Sequence, residues 1–315
     1  MALGHWVMKG SALALIMLAF ANRFTILALL SLILISPLNN AQQEEINAWE
    51  VDGGHSVIME QYTATWCDIC ASVDSWIPDF TEANGNRVIR VAIHDDFEDP
   101  LGTPITDYRL ERYTDSPVAP SFWFDGVILA GGAPDMSTLH RNLLSAENQR
   151  RGDTDLNLRI THESGQLIIS STLSDWNDEE NTKISFLILE NIVEIPSNLA
   201  TNGMNKHHDV LFAYSEIYLN NSSNWAYPDT SWSDISLQNN SISSKFNIPS
   251  DKSLDNLQVV VIHEYLEVND QGPNTLGAAS IYLGTSEENS KFSIIFPVML
   301  ILLISILPLI IRFQK

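Results

Sequence analysis

Two cysteines are all that this 315-residue chain contains, and they stand two residues apart, Cys67 and Cys70, in the stretch "YTATWCDIC". A lone Cys-x-x-Cys supplies only two of the four ligands that a structural zinc needs. His94, His207 and His208 lack zinc-ligand spacing to the pair, so no metal is expected. Basic residues are also scarce: 17 Lys and Arg against 39 Asp and Glu leave a formal charge of −22. No cluster of Lys and Arg can neutralise a phosphate backbone, which excludes nucleic acid as a natural partner. Long apolar runs are missing from the middle of the chain and sit at its two ends.

Those ends read as targeting and anchoring segments. Residues 1–41 place Lys9 and Arg23 ahead of an apolar stretch, Phe24 to Ile35, followed by Pro37 and the small Ala41. This is the layout of a secretory signal peptide, or of an uncleaved anchor if the apolar stretch from Ser11 also inserts; Met17 offers an alternative start. Residues 292–311, Phe292 to Ile311, carry no charge and match the ~20 residues that span a bilayer. Pro297 and Pro308 lie near the ends of this transmembrane helix, where lipid-embedded helices tolerate them. Arg312 and Lys315 put the tail, 312–315, on the cytoplasmic side by the positive-inside rule. Everything between is then extracytoplasmic, at a cell surface or in a periplasm-like space, with residues 285–291 as a tether.

The remaining length and a 45% hydrophobic composition allow two domains with cores of their own. Within 45–150, "SVIMEQYTAT" reads as a strand. "ASVDSWIPDFTEAN" reads as a helix kinked at Pro78, and "NRVIRVAIHDD" as a short strand. "ITDYRLERYT" is a second helix, and "SPVAPSFWFDGVILAGGAP" is a hairpin about Asp125-Gly126. "DMSTLHRNLLSAENQR" closes the unit as a helix capped by Asp135 or Ser137. The order β, α, β, α, β, β, α describes an α/β unit, a mixed sheet with helices on both faces. After "RRGDTD" the pattern changes to alternation, and about seven strands over 153–284 suggest an all-β immunoglobulin-like sandwich. No catalytic constellation is legible in that stretch. The adjacent histidines of "NKHHDV" should point to opposite faces of a strand, and Trp225, Tyr227 and Trp232 suit either a contact loop or a cap on the sandwich core.

The cysteines fall between a strand and a helix. There a backbone N–H favours ionisation of the first thiol, so Cys67 would attack and Cys70, one turn further in, would resolve the mixed disulfide. Half of a metal site and a local staple remain alternatives, although so small a ring closes little loop entropy. "WCDIC" after "VIMEQYTAT", with "VAPSFWFDGV" downstream, resembles the thioredoxin superfamily over residues 50–150. The fusion of such a unit to a sandwich is similar to a bacterial outer-membrane-protein branch of it. The resemblance implies a cis peptide bond at Ala119–Pro120, placed against the cysteines to hold extended substrate, with Trp66 beside the nucleophile.

Two departures stand out. Asp68 and Ile69 occupy the positions between the cysteines. A carboxylate there opposes thiolate formation, so a comparatively reducing pair is expected. Gln61 stands where relatives often keep a buried acid, and Glu60 next to it should face the other side of the sheet. The whole implies a membrane-anchored thiol-disulfide oxidoreductase acting on protein disulfides, without cofactor beyond the Cys67–Cys70 disulfide, and with a membrane electron donor if it reduces. The rival is a surface binding module in which the disulfide is inert.

Overall fold

The structure, a computed structural model, describes residues 47–113, 116, 118–150, 154–174, 181–219, 225–226, 231–268 and 272–284. The expected signal segment, tether, transmembrane helix and tail lie outside the described residues. No helix among those described is long and apolar enough to cross a membrane.

Strands β2 (Val57–Tyr62) and β3 (Val88–Ile93) run parallel, and all twelve of their residues are buried. Burial on both faces is the state of a central parallel strand, and it explains why "VIMEQY" and "VIRVAI" show no alternation. The chain crosses between them through two helices, α1 (Asp68–Asp74) and α2 (Ile77–Asn84), rather than one kinked helix. Pro78 cannot donate to the carbonyl four residues back and its ring would collide with it. The first helix therefore ends, and Pro78 is accommodated in the first turn of the next. Helix α3 (Pro104–Glu111) starts from a capping box, in which Thr103 and Thr106 bond each other's backbone. β4 (Ser121–Phe124) and β5 (Val127–Gly131) form the hairpin, with Asp125 and Gly126 at φ +50° and +81°. A two-residue turn with both central φ positive matches the twist of the strands it joins. Helix α4 (Met136–Gln149) is capped by Asp135, whose carboxylate accepts the Thr138 N–H at 2.7 Å. Side chains of α1, α2 and α4 share one core with β2 to β4, and α3 covers the opposite face.

All seven strands read in the second stretch form: β6 (Asp155–Glu163), β7 (Gln166–Ser174), β8 (Thr182–Glu194), β9 (Lys206–Tyr218), β12 (Ser241–Asn247), β13 (Leu257–Tyr265) and β14 (Thr275–Tyr282). A two-residue strand, β10 (Trp225–Ala226), and β11 (Trp232–Gln238) are additional. Trp232 is buried in the sandwich core against Phe246, with ring centroids 4.8 Å apart, which settles its role as core. Trp225 and Tyr227 have no described side chain.

The boundary near residue 150 does not divide the hydrogen bonding. A nine-stranded sheet runs in the order β14-β13-β8-β9-β3-β2-β4-β5, with β10 beside β9. β3 meets β9 in parallel through Ala92 and Val210. The other sheet, β1-β6-β7-β12-β11, has five strands, and its first member, β1 (Asn47–Gly53), comes from the start of the chain. β1 pairs antiparallel with β6 from Asn47↔His162 to Gly53↔Leu156. The residues placed by sequence at the head of the α/β unit thus complete the sandwich, and the described residues pack as one body. One core lies between the two sheets. A second, from Ile58, Val91 and Leu110 to Leu187, Leu211 and Val260, runs without a break under α3 across both halves of the long sheet.

Candidate active site at the cysteine pair

Cys67 and Cys70 are joined in a disulfide, with Cα atoms 5.2 Å apart. They stand at the strand-to-helix junction expected of them. Cys67 caps α1 and its sulfur accepts the N–H of Cys70 at 3.1 Å. The two sulfurs are not equivalent: Cys67 is 7% exposed and Cys70 is sealed. Ala119–Pro120 is cis, and the Ala119 carbonyl oxygen lies 3.7 Å from the Cys67 sulfur. Ala64, Cys67, Cys70 and Ala119 share a small apolar cluster. The expected set therefore converges, with Trp66 at its edge, 41% exposed and donating its indole N–H to the Phe97 carbonyl at 3.3 Å. Trp66 is no core aromatic. Ile69, Phe97 and Val118 are also exposed, so an apolar rim borders the disulfide.

Behind the pair lies a polar layer that the sequence only half revealed. Gln61 is buried, as its place in β2 requires; its amide donates to Asp74 and its carbonyl accepts both Nε of Arg90 at 3.0 Å and NH2 at 2.8 Å. Asp74 is a buried carboxylate on the same side of the sheet as Gln61. It lies one turn beyond Cys70 on α1 and also accepts from Thr63. Its signal was available, since an Asp four residues after a helical cysteine shares its face. Arg90 completes the group by binding the His208 carbonyl at 2.8 Å and Asp209 at 3.3 Å across the β3–β9 seam. Burial raises the Asp209 carboxyl, although Arg90 pulls the other way.

His94, at the end of β3, is fully buried. Its Nδ1 pairs with Asp99 at 2.9 Å, and its Nε2 has no hydrogen-bond partner among the described residues. Asp99 in turn accepts the N–H of Thr65 at 2.8 Å, so the loop after β3 braces the turn before Cys67. Burial would raise Asp99, but the His94 imidazole and two backbone N–H groups hold it below its ordinary range. His207 meets His94 edge to face at 5.4 Å, and burial first, then His94, lowers its pKa to about 4. His207, buried, and His208, half-buried, follow Lys206 at the start of β9, and both line a small enclosed space with Asp74 and Arg90. No group of three or more His, Cys, Asp or Glu suited to a metal occurs among the described residues.

The second half of the chain also reaches the pair, which sequence reasoning missed. The β8–β9 connection lies on the turn before α1, and a cleft of about 480 Å³ opens between Ala71, Asp74, Ser75 and Pro78 on one side and residues 202–206 with His208 on the other. Nothing in "SNLATNGMN" announces contact with residues 135 to 138 positions earlier.

Glu60, on the opposite face of β2 from Gln61, faces away from the pair. It binds Arg109 of α3 through Nε at 2.6 Å, and Arg109 also binds Glu264 of β13 at 2.6 Å. This network holds the fold and takes no part in the cysteine site.

No protein-family model and no curated protein matches the chain. Among solved structures, HBP35 of Porphyromonas gingivalis is similar with a TM-score of 0.53 at 13% identity, covering 75% of this chain and 78% of that one. A structural-genomics protein from Agrobacterium tumefaciens aligns with a TM-score of 0.49 at 11% identity, over 73% of this chain and 96% of its own. The first likeness is one of fold, and the Cys-x-x-Cys disulfide is seen in this chain itself.

Proposed function

We propose that the chain is a thiol-disulfide oxidoreductase acting on protein disulfides, held at a membrane by its C-terminal segment. The observation that carries this reading is the asymmetry of the pair: an outer sulfur that receives a backbone N–H, and a sealed one a turn behind it. In the reduced state the Cys70 N–H stabilises a Cys67 thiolate. That thiolate attacks one sulfur of a client disulfide, the client S–S bond breaks, and a client thiolate leaves. Cys70, once deprotonated, attacks the Cys67 sulfur, releases the second client thiolate and restores the bond described here. Two electrons pass to the client, and a dithiol donor must return them. Trp66, Ala119 and Pro120 line the face on which an extended client segment would lie, and Asp74 is the nearest buried carboxylate along α1 to accept the Cys70 proton. Asp68 and Ile69 favour the reducing or isomerising direction, because neither stabilises the thiolate as an imidazolium would.

A second reading, a binding module with an inert disulfide, draws on the slight exposure of Cys67. Insulin reduction and refolding of a scrambled disulfide substrate by the full chain separate the two. Activity abolished by Cys67→Ser, with a persistent client adduct in Cys70→Ala, supports the enzyme. A disulfide that resists dithiothreitol and traps no client refutes it.

A further inference from the structure

One side chain from the sandwich half binds the nucleophile's turn at both ends. The Asn202 amide nitrogen donates to the Ala64 carbonyl at 3.1 Å and to the Cys67 carbonyl at 3.2 Å. Those two carbonyls bracket the turn itself, which is closed by the Cys67 N–H on the Ala64 carbonyl at 3.2 Å. The backbone N–H of Asn202 donates to the Thr65 carbonyl between them at 3.1 Å, and the Thr201 hydroxyl reaches the same oxygen at 3.5 Å. The orientation of the amide is not arbitrary: its oxygen accepts the Met204 N–H at 3.0 Å, so only the nitrogen is left for the carbonyls. The Cys67 carbonyl thereby takes two donors, Asn202 and the Ala71 N–H at 3.1 Å.

We propose that Asn202 is a positioning residue for the nucleophile, holding the Ala64–Cys67 turn so that the Cys67 sulfur keeps the Cys70 N–H after the disulfide opens. While the bond is closed, the ring itself fixes the turn. Once it is reduced, only hydrogen bonds do so, and those from Asn202 do not pass through either sulfur. A thiolate gains more from an aligned N–H than a disulfide sulfur does, because a hydrogen bond to an ion is the stronger one. Holding the turn therefore stabilises the reduced, ionised form. The donor sits on the β8–β9 connection, so the sandwich half sets the electrochemistry of the α/β half. The inference presupposes that the pair cycles between disulfide and dithiol, as the proposed function requires, yet its readouts need no client.

Two variants of the full chain test it: Asn202→Ala, and Asn202→Leu, which keeps the branched shape but loses the donors. Two properties are read, the pH midpoint of Cys67 alkylation by iodoacetamide and the equilibrium with reduced and oxidised glutathione. Both variants are expected to alkylate with a midpoint at higher pH and to shift the equilibrium toward the disulfide by about five- to tenfold, the equivalent of roughly one net hydrogen bond. A merely structural asparagine would lower the melting temperature and leave both unchanged, and that result overturns the proposal. Should neither variant fold, the Asn202 side-chain amide protons of the unaltered chain decide by NMR. They are expected to stay protected from exchange in the dithiol form, and loss of that protection on reduction overturns it. If the pair equilibrates with glutathione and responds to Asn202 but exchanges with no protein disulfide, the proposed function fails and this inference stands.

Discussion

Arg109 is the side chain on which the union of the two halves can be measured. It is 1% exposed, projects from α3, and divides its guanidinium between Glu60 on β2 and Glu264 on β13, with the Tyr214 ring 5.5 Å from its central carbon. Burial raises the Glu60 carboxyl, with Arg109 the main opposing influence. Burial would raise Glu264 too, but Arg109, Arg112 and Lys183 together hold it well below the ordinary carboxylate range. In Arg109→Leu the stem of the side chain is kept and the charge removed, leaving Glu60 with only the weaker pull of Arg112 and Glu264 with two of three cations. Breaking a buried pair by removing one partner costs about 3–5 kcal/mol. For a body of this size that is a fall of roughly 10 °C in melting temperature. The pH dependence gives a second, independent signature. The folded-state pKa of Glu60 in the variant lies above its unfolded value, so stability is retained at low pH and lost as pH rises through the folded pKa. The deficit measured by urea unfolding should therefore be larger at pH 8 than at pH 5, and adding Glu60→Gln should recover much of it. A deficit under about 1 kcal/mol at pH 8, or one independent of pH, would refute the claim that this network is a buried charge lock.

Acid should weaken the fold through its buried imidazoles. Burial lowers the pKa of His207 and of His263 to about 4, so both stay neutral in the folded protein while the unfolded chain takes up protons below pH 6.5. Their contribution is present above that pH and is lost as pH falls toward 4, by roughly 2–3 kcal/mol each at the lower end. His207→Phe should flatten the urea-midpoint profile over that window, and an unchanged slope would contradict it. Gln61→Glu replaces the amide that donates to Asp74 with a second carboxylate, and one Arg90 guanidinium then faces two like charges, which so close share a raised pKa. The variant should be less stable than the parent at pH 8 and approach it at pH 5, and no acceleration of exchange is expected, since a carboxylate is already present there. At Gly102 an added Cβ would lie 1.6 Å from the Asp95 carbonyl oxygen, so Gly102→Ala must displace the loop that carries Asp99. A loss of about 1–3 kcal/mol, with higher accessibility of the Cys67–Cys70 bond to dithiothreitol, is the expected result. Unaltered reducibility would mean that the loop does not brace the site.

What could be read beforehand was whatever depends on neighbours in sequence. The hairpin at Asp125-Gly126, the cap at Asp135, the strand alternation that turns Gln61 and Glu60 to opposite faces, and the Cys-x-x-Cys at a strand-to-helix junction all follow from a few residues of local chemistry. Pro78 was legible as a disturbance but not as a full break, because its effect depends on whether Trp76 can leave helical geometry, as it does at φ −121° and ψ −5°. β11 was not legible: "WSDISLQ" lacks clean alternation, and its pairing with β12 shifts register between Ser233 and Ser236. The contacts that complete the site were out of reach for a different reason. Asn202 binds Ala64 and Cys67, and Arg90 binds the His208 carbonyl, across more than a hundred residues of intervening chain, and neither residue type is rare enough to signal a site.

The seam between the halves shows what a boundary drawn from composition leaves out. A change from mixed helices and strands to pure alternation near residue 150 marks a change of architecture, and such a change usually separates bodies with cores of their own. In this chain β3 and β9 meet through a single Cα pair, Ala92 and Val210, too little backbone hydrogen bonding to hold two domains together by itself. Side chains do the rest from three directions. Arg90 crosses to the His208 carbonyl and Asp209, α3 spreads one apolar core over Val91 and Leu211, and Asn202 returns from the far side to the cysteine turn. β1 closes the arrangement from the other end, leaving the five-stranded sheet at Gly53 and passing Ala278 before it becomes β2. Cutting the chain at 150 would therefore strip β1 of its partner β6 and the cysteine turn of its clamp at once. An isolated 45–150 fragment is not a smaller version of the site but a different one.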